Sequence, residues 1–148
     1  MILTVIPAAA AIVLAAIGLL HLYWAFGGAW GGRAAVPETL RGKPLFIPGR
    51  IATVLVSAAL FAAAALIAIQ ADLLPRPSGS EWIAWGCRGA AAVFALRTIG
   101  DFRYVGLFKS VRSTRFARYD TRLFTPLCFL LCLAFITALI DRTGNRPL

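Results

Sequence analysis

Ile51-Ala52-Thr53-Val54-Leu55-Val56-Ser57-Ala58-Ala59-Leu60-Phe61-Ala62-Ala63-Ala64-Ala65-Leu66-Ile67-Ala68-Ile69-Gln70-Ala71 contains no Lys, Arg, Asp, Glu or His. Wound as a helix at about 1.5 Å per residue, it makes a rod of roughly 32 Å. The hydrocarbon layer of a bilayer is about 30 Å thick. Three more stretches of similar length carry little charge: 2–32, 82–105 and 123–140. The stretch 51–71 is rich in Ala and holds Ser57, and small residues let helices approach closely in lipid, where association rests on packing.

Composition agrees. Hydrophobic residues make up 60 % of the chain and charged residues 14 %, against about 45–50 % and 25 % in a soluble domain. Mean hydropathy is +0.81. The length of 148 residues fits one domain. The expectation is an all-α integral membrane protein, a four-helix bundle of up-down topology. Its helices run over about 2–27, 50–72, 81–107 and 123–141, with a basic interfacial segment at 108–122.

The connections support these divisions. Gly27, Gly28, Gly31 and Gly32 end the first helix, because glycines loosen helices and favour turns. Pro37, Pro44 and Pro48 exclude a regular helix from the loop that follows. Within that loop the apolar Leu45-Phe46-Ile47 dips back toward the interface. Asp72 to Gly79 includes Pro75 and Pro77 and reads as a turn. The first stretch lacks a positive leading region and exceeds the apolar length of a signal peptide, so it reads as an uncleaved helix. Pro126 falls in the first turn of the fourth helix, where proline is tolerated.

Net charge is +9. In a soluble protein such a balance points to nucleic acid. Here the basic residues lie between apolar stretches, which favours anionic headgroups and excludes nucleic acid from the expected partners. The first and third connections hold Arg33, Arg41, Lys43, Arg50, Arg103, Lys109, Arg112, Arg115, Arg118 and Arg122. The opposite side holds only Arg76, Arg88, Arg142 and Arg146. The positive-inside rule then expects an inner-membrane protein with both termini outside and both basic loops in the cytoplasm.

The third stretch alone carries interior charge. Arg97 lies about 24 Å from Glu81 along a helix, at or inside the inner edge of the hydrocarbon. A charge there costs about 2.5–3.5 kcal/mol at the bilayer centre. Asp101 is one turn on and offers Arg97 an i, i+4 partner. His21, the chain's single histidine, falls at a similar depth on the first helix, with Trp24 on its face. His21, Trp24, Arg97 and Asp101 are therefore expected to converge as a ligand-binding layer near the cytoplasmic face. A closed structural ion pair and a satisfied interfacial histidine are the plainer readings of the same residues.

In 108–122 basic residues recur almost every third position. At 100° per residue, Arg112, Arg115, Phe116, Arg118, Tyr119 and Arg122 share one side. Arginines mixed with aromatics suit a helix lying in the headgroup layer, rings toward lipid and guanidinium groups toward phosphate.

Several chemistries find no support. One His with Cys87, Cys128 and Cys132 makes no metal-ligand set, and the cysteines read as small buried hydrophobes. No phosphate-binding loop or serine nucleophile motif occurs. No catalytic residue, metal or cofactor is assigned.

Four strings resemble a known family: His21-Leu22-Tyr23-Trp24-Ala25-Phe26-Gly27-Gly28 with Trp30-Gly31; Leu96-Arg97-Thr98-Ile99-Gly100-Asp101-Phe102; Gly106-Leu107-Phe108-Lys109; and Phe116 to Cys128. The chain resembles the DUF3995 family of small bacterial four-helix membrane proteins of unknown function. The resemblance implies a compact four-span bundle and no established activity. Three functions then compete. The first is binding or permeation of a small ligand or lipid at the polar layer. The second is an intramembrane enzyme with His21 as acid or base. The third is an accessory subunit in a homo- or hetero-oligomer. Binding is preferred.

Overall fold

The computed structural model describes the backbone of residues 2–144 and the side-chain surroundings of residues 4–141. Arg146 and the side chain of Arg142, both part of the charge comparison above, lie outside the described residues. In chain order the elements are α1 (Ile2–Ala25), a one-turn α2 (Gly32–Ala35), α3 (Arg50–Gln70), α4 (Glu81–Ile99), a short α5 (Arg115–Tyr119), a π-helical turn (Asp120–Phe124) and α6 (Thr125–Gly144). The described residues are helical apart from loops and one isolated antiparallel bridge, Glu38 with Pro44.

Three helices are long and apolar enough to cross a membrane: Thr4–Ala25, Arg50–Gln70 and Arg115–Asp141. The third of these runs from α5 through the π turn into α6 without a break. α4 is 19 residues long and holds Glu81, Arg88 and Arg97, which keeps it out of that set.

α1 packs along α3, and α4 along α6. The two pairs join through α1 against α6 and α3 against α4. α1 and α4 therefore stand on a diagonal. Leu14, Ile67, Ile83, Cys87 and Phe135 are fully buried at the shared centre. Phe94 stacks on Phe135 with ring centroids 6.0 Å apart. The Ser57 hydroxyl donates to the Gly18 carbonyl at 2.8 Å, tying α3 to α1 where small residues allow close approach. Cys87 and Cys132 are buried and unpaired, as small core hydrophobes are.

α1 ends where glycine permits it. Gly27 takes φ +94°, and the N–H groups of Gly27 and Gly28 bond the carbonyls of Trp24 and Tyr23 at 3.1 and 2.9 Å. Those two bonds satisfy helix-end carbonyls that otherwise have no partner.

The expected boundaries change at both ends of the third connection. α4 stops at Ile99 rather than near residue 107, and residues 101–114 form an irregular loop. No helix covers 108–114; the helical part of the basic segment starts at Arg115 and is the leading end of the last long helix. Thr114 caps it, its hydroxyl accepting from the Ala117 N–H at 3.1 Å. Pro126 consequently sits inside a long helix instead of in its first turn. Proline has no N–H to donate and its ring crowds the carbonyl four residues back. The π turn, in which the Thr125 N–H bonds the Asp120 carbonyl, widens the helix where that conflict arises.

Candidate functional site

The residues expected to form one polar layer occupy two separate places. His21 and Trp24 line a cavity of about 530 Å³ between α1 and α3. Arg97 and Asp101 line no part of it. The diagonal placement of α1 and α4 accounts for this: equal depth does not make neighbours of helices at opposite corners.

The cavity is built from the loop that carries the prolines. Gly28, Gly32, Ala35, Val36, Phe46 and Ile47 line it together with Thr53 and Val56 of α3, and Leu45 is not part of the lining. Phe46 and Ile47 stay largely exposed, so the cavity is a partly open one. Most of the lining is apolar. The Thr53 hydroxyl is turned to the Gly49 carbonyl at 3.0 Å. The Trp24 indole N–H donates to the Trp30 carbonyl at 2.7 Å, fixing the indole against the turn. His21 meets the edge of Trp24 with ring centroids 4.9 Å apart. His21 Nδ1 lies 2.8 Å from the Ile17 carbonyl. A carbonyl only accepts, so Nδ1 carries the hydrogen, and in the neutral ring Nε2 is left as a lone pair. Nε2 makes no hydrogen bond among the described residues, and His21 is one of the few polar side chains in a mainly apolar, partly open cavity.

The second place is centred on a residue the sequence reading passed over. Asp120 is fully buried, and its carboxylate accepts four hydrogen bonds. Arg97 Nη2 donates to Oδ1 at 2.7 Å, and Lys109 Nζ to Oδ2 at 2.9 Å. The Gly106 N–H and the Thr125 hydroxyl also donate to Oδ2, at 2.9 and 3.1 Å. Lys109 is itself only 3 % exposed and donates further to the Gly106 carbonyl at 3.0 Å. The expected Arg97–Asp101 pair is therefore replaced by Arg97–Asp120, with Lys109 as a second cation.

Asp101 has a different task. Its Oδ1 accepts the backbone N–H groups of Arg103, Tyr104 and Val105 at 2.9, 2.7 and 2.8 Å. Slight desolvation acts against ionisation, but the N–H donors of Val105, Tyr104 and Arg103 outweigh it and hold the carboxyl below the usual aspartate range. The loop it organises closes tightly. Gly100 and Gly106 take φ +89° and +88°, and a Cβ on Gly100 would lie 1.8 Å from the Val105 carbonyl oxygen. This crossing delivers the Gly106 N–H and the Lys109 ammonium to Asp120. The short strings 96–102 and 106–109 are thus two halves of one loop around one buried carboxylate.

Of the residues expected to meet lipid headgroups, Arg112, Arg115, Arg118, Tyr119 and Arg122 are exposed. Phe116 is not: it is 2 % exposed and packs near Phe124 at 6.1 Å between centroids. Phe116 and Ala117 face the interior because Arg115–Tyr119 packs against α2 and runs on through the π turn into α6. Arg115, Arg118, Tyr119, Arg122 and Leu123 line a surface groove of about 440 Å³. Arg112 stands apart from it, with Nε donating to the Lys109 carbonyl at 3.2 Å.

No group of three or more potential metal ligands occurs among the described residues. No curated protein and no solved structure is detectably similar to this chain. A family model described as protein of unknown function, DUF3995, matches residues 14–135, a span that takes in His21, the Gly100–Gly106 crossing, Lys109 and Asp120. The chain belongs to the DUF3995 family.

Proposed function

We propose that this protein is a four-span bundle of the bacterial inner membrane that binds a small amphipathic ligand in the cavity between α1 and α3. Each long helix turns large apolar side chains outward: Ile12 of α1 is 71 % exposed, Leu55 of α3 64 %, Val93 of α4 62 % and Leu130 of α6 60 %. Apolar surface spread over all four helices suits a lipid solvent better than water. That includes α4, whose 19 residues reach about 28 Å. The exposed Trp82 and Trp85, with the Arg88 guanidinium 4.7 Å from the Trp85 ring centroid, suit an interfacial belt at its leading end. The ten-to-four distribution of basic residues supports both termini outside.

The observation that carries the ligand reading is His21. One ring nitrogen is tied to Ile17, and the other is a lone pair beside a mainly apolar, partly open cavity large enough for a small molecule. A ligand with a hydroxyl or amide donor at one end and a hydrocarbon body would satisfy both features. The same nitrogen is the only argument for an acid–base enzyme, and it lacks a neighbouring carboxylate or nucleophile in the cavity. Native mass spectrometry of the detergent-extracted protein tests the reading. Wild type should retain a small molecule that His21→Ala loses with its melting temperature unchanged. Retention by His21→Ala, or an empty wild-type protein in every extract, would remove the ligand reading and leave an accessory role.

A further inference from the structure

The loop and turn between Arg97 and Arg122 contain seven basic residues, Arg97, Arg103, Lys109, Arg112, Arg115, Arg118 and Arg122, against two acidic ones, Asp101 and Asp120. Asp120 is fully buried between Arg97 and Lys109. Asp101 is exposed, and its Oδ1 holds three backbone N–H groups of its own loop. Among the described residues neither carboxylate forms an ion pair with the exposed guanidinium groups on the outer side of the turn. Three of these, Arg115, Arg118 and Arg122, stand at i, i+3 and i+7 and share the groove with Tyr119 and Leu123. The Arg115 guanidinium lies 6.0 Å from the Tyr119 ring centroid, so its stem and the ring form one wall.

Position along the helix says what this groove meets. Arg115–Asp141 is a continuous apolar helix of 27 residues. At 1.5 Å per residue it is about 40 Å long, the thickness of a bilayer with its headgroups included. The stretch from Leu123 to Asp141 accounts for about 28 Å, close to the hydrocarbon alone. The two turns that carry Arg115, Arg118 and Arg122 therefore extend into the headgroup layer, with Leu123 at its boundary.

We infer that this groove is a binding site for one anionic phospholipid, the phosphate held among Arg115, Arg118 and Arg122 and the first acyl carbons laid on Tyr119 and Leu123. Guanidinium groups suit this task because their forked donors match phosphate oxygens. The inference rests on α6 crossing the membrane, as proposed above, and is independent of the His21 cavity.

The test is native mass spectrometry of the full chain in detergent, titrated with phosphatidylglycerol and with phosphatidylcholine. Wild type should retain phosphatidylglycerol in preference to phosphatidylcholine. The triple variant Arg115→Gln, Arg118→Gln, Arg122→Gln should bind phosphatidylglycerol about a hundredfold more weakly, at about fivefold per arginine near an anionic headgroup. A charge-matched control, Arg33→Gln, Arg41→Gln, Lys43→Gln, removes three exposed cations from the first connection. It should stay within about threefold of wild type. Equal loss in both variants would reduce the effect to diffuse attraction and overturn the site, as would no loss in either. If the triple variant does not fold, Arg118→Gln and Arg122→Gln are tested singly, and unchanged affinity in both overturns the site. Competition by inorganic phosphate at the lipid's own concentration would make the ligand a soluble anion. Tighter retention of a single-stranded oligonucleotide than of the lipid at 0.15 M salt would make it nucleic acid. Either result overturns the lipid assignment. A chain that extracts from cells without detergent would instead remove the membrane reading on which the inference stands.

Discussion

Asp120 is the residue whose loss should damage this protein most. Its carboxylate is fully buried and faces Arg97, Lys109, the Gly106 N–H and the Thr125 hydroxyl within 3.1 Å. In Asp120→Ala the Lys109 ammonium, 3 % exposed, keeps only the Gly106 carbonyl as a partner. Removing one member of a buried ion pair costs about 3–5 kcal/mol, because the other charge is left uncompensated. Arg97 adds to that cost as well: its side chain is 32 % exposed, but Nη1 is buried with no hydrogen-bond partner and Nη2 loses the carboxylate. For a chain of this size about 1 kcal/mol corresponds to 2–4 °C in melting temperature. Asp120→Ala should therefore melt roughly 10 °C or more below wild type in detergent, followed by intrinsic tryptophan fluorescence. The cations share one anion, so each single cation variant should cost less: Arg97→Gln leaves Lys109 on the carboxylate, and Lys109→Met leaves Arg97. Adding Lys109→Met to Asp120→Ala should recover part of the loss, because the stranded ammonium is then gone. Two results would refute the reasoning. One is an Asp120→Ala variant no less stable than Arg97→Gln. The other is strict additivity between Asp120→Ala and Lys109→Met.

Four further outcomes follow from the same loop and helices. Arg97→Gln and Asp101→Ala should be additive in melting temperature, since they touch different partners, and a coupling above about 0.5 kcal/mol would restore the pair expected from their spacing. The Asp101 carboxyl is held below the usual range, so its contribution to loop order is present at neutral pH and lost as pH falls through its depressed folded value, beneath about 3.9; the amide resonances of Arg103, Tyr104 and Val105 should titrate there together and lose that response in Asp101→Asn. Gly100→Ala places a Cβ 1.8 Å from the Val105 carbonyl oxygen at a φ of +89° and should prevent folding, whereas Gly89→Ala, whose Cβ meets nothing within 4 Å, should be neutral or stabilising by about 0.5–1 kcal/mol when both are read by thermal melting. Reporter fusions after Pro77 and Ser113 should report opposite sides of the membrane, and the same side for both would mean that α4 does not cross.

The helices were legible because their signal is local. An uncharged run such as 51–71 needs no partner to announce its length, and the glycines after α1 mark its end by their own backbone freedom. The boundaries at 99 and 115 were hidden for a physical reason. Gly100 falls inside the helix expected over about 81–107, while its role depends on Gly106 crossing it at a positive φ. The basic segment was read as a surface helix because its arginines fall on one side at 100° per residue. The 100° projection puts Phe116 with the arginines, yet Phe116 is buried while they are exposed, because the segment is helical only from Arg115 onward and a projection carried across 108–122 misassigns its sides.

The site was misread through the choice of partner. Arg97 needed a carboxylate, and Asp101 was the nearest along the chain at a helical spacing. The helix stops between them, so the spacing argument fails at Gly100. Another acid, Asp120, stands in a run of arginines, and a spacing argument along one helix gives it no role. Two signals beside it would have pointed inward. It is the one acid in 108–122, where four or more cations are within reach of a turn, and it lies six residues before a proline that any continuing helix must accommodate. A π turn accommodates the proline over Asp120–Phe124, the segment that carries the buried carboxylate. Once Asp120 is taken inside, Lys109 has to follow it, because a lone Arg97 two helices away could not account for a lysine that is almost fully buried. Arg115, Arg118 and Arg122 then form no ion pair among the described residues, and the positive charge this leaves on the outer side of the turn is what suits that side to an anionic headgroup.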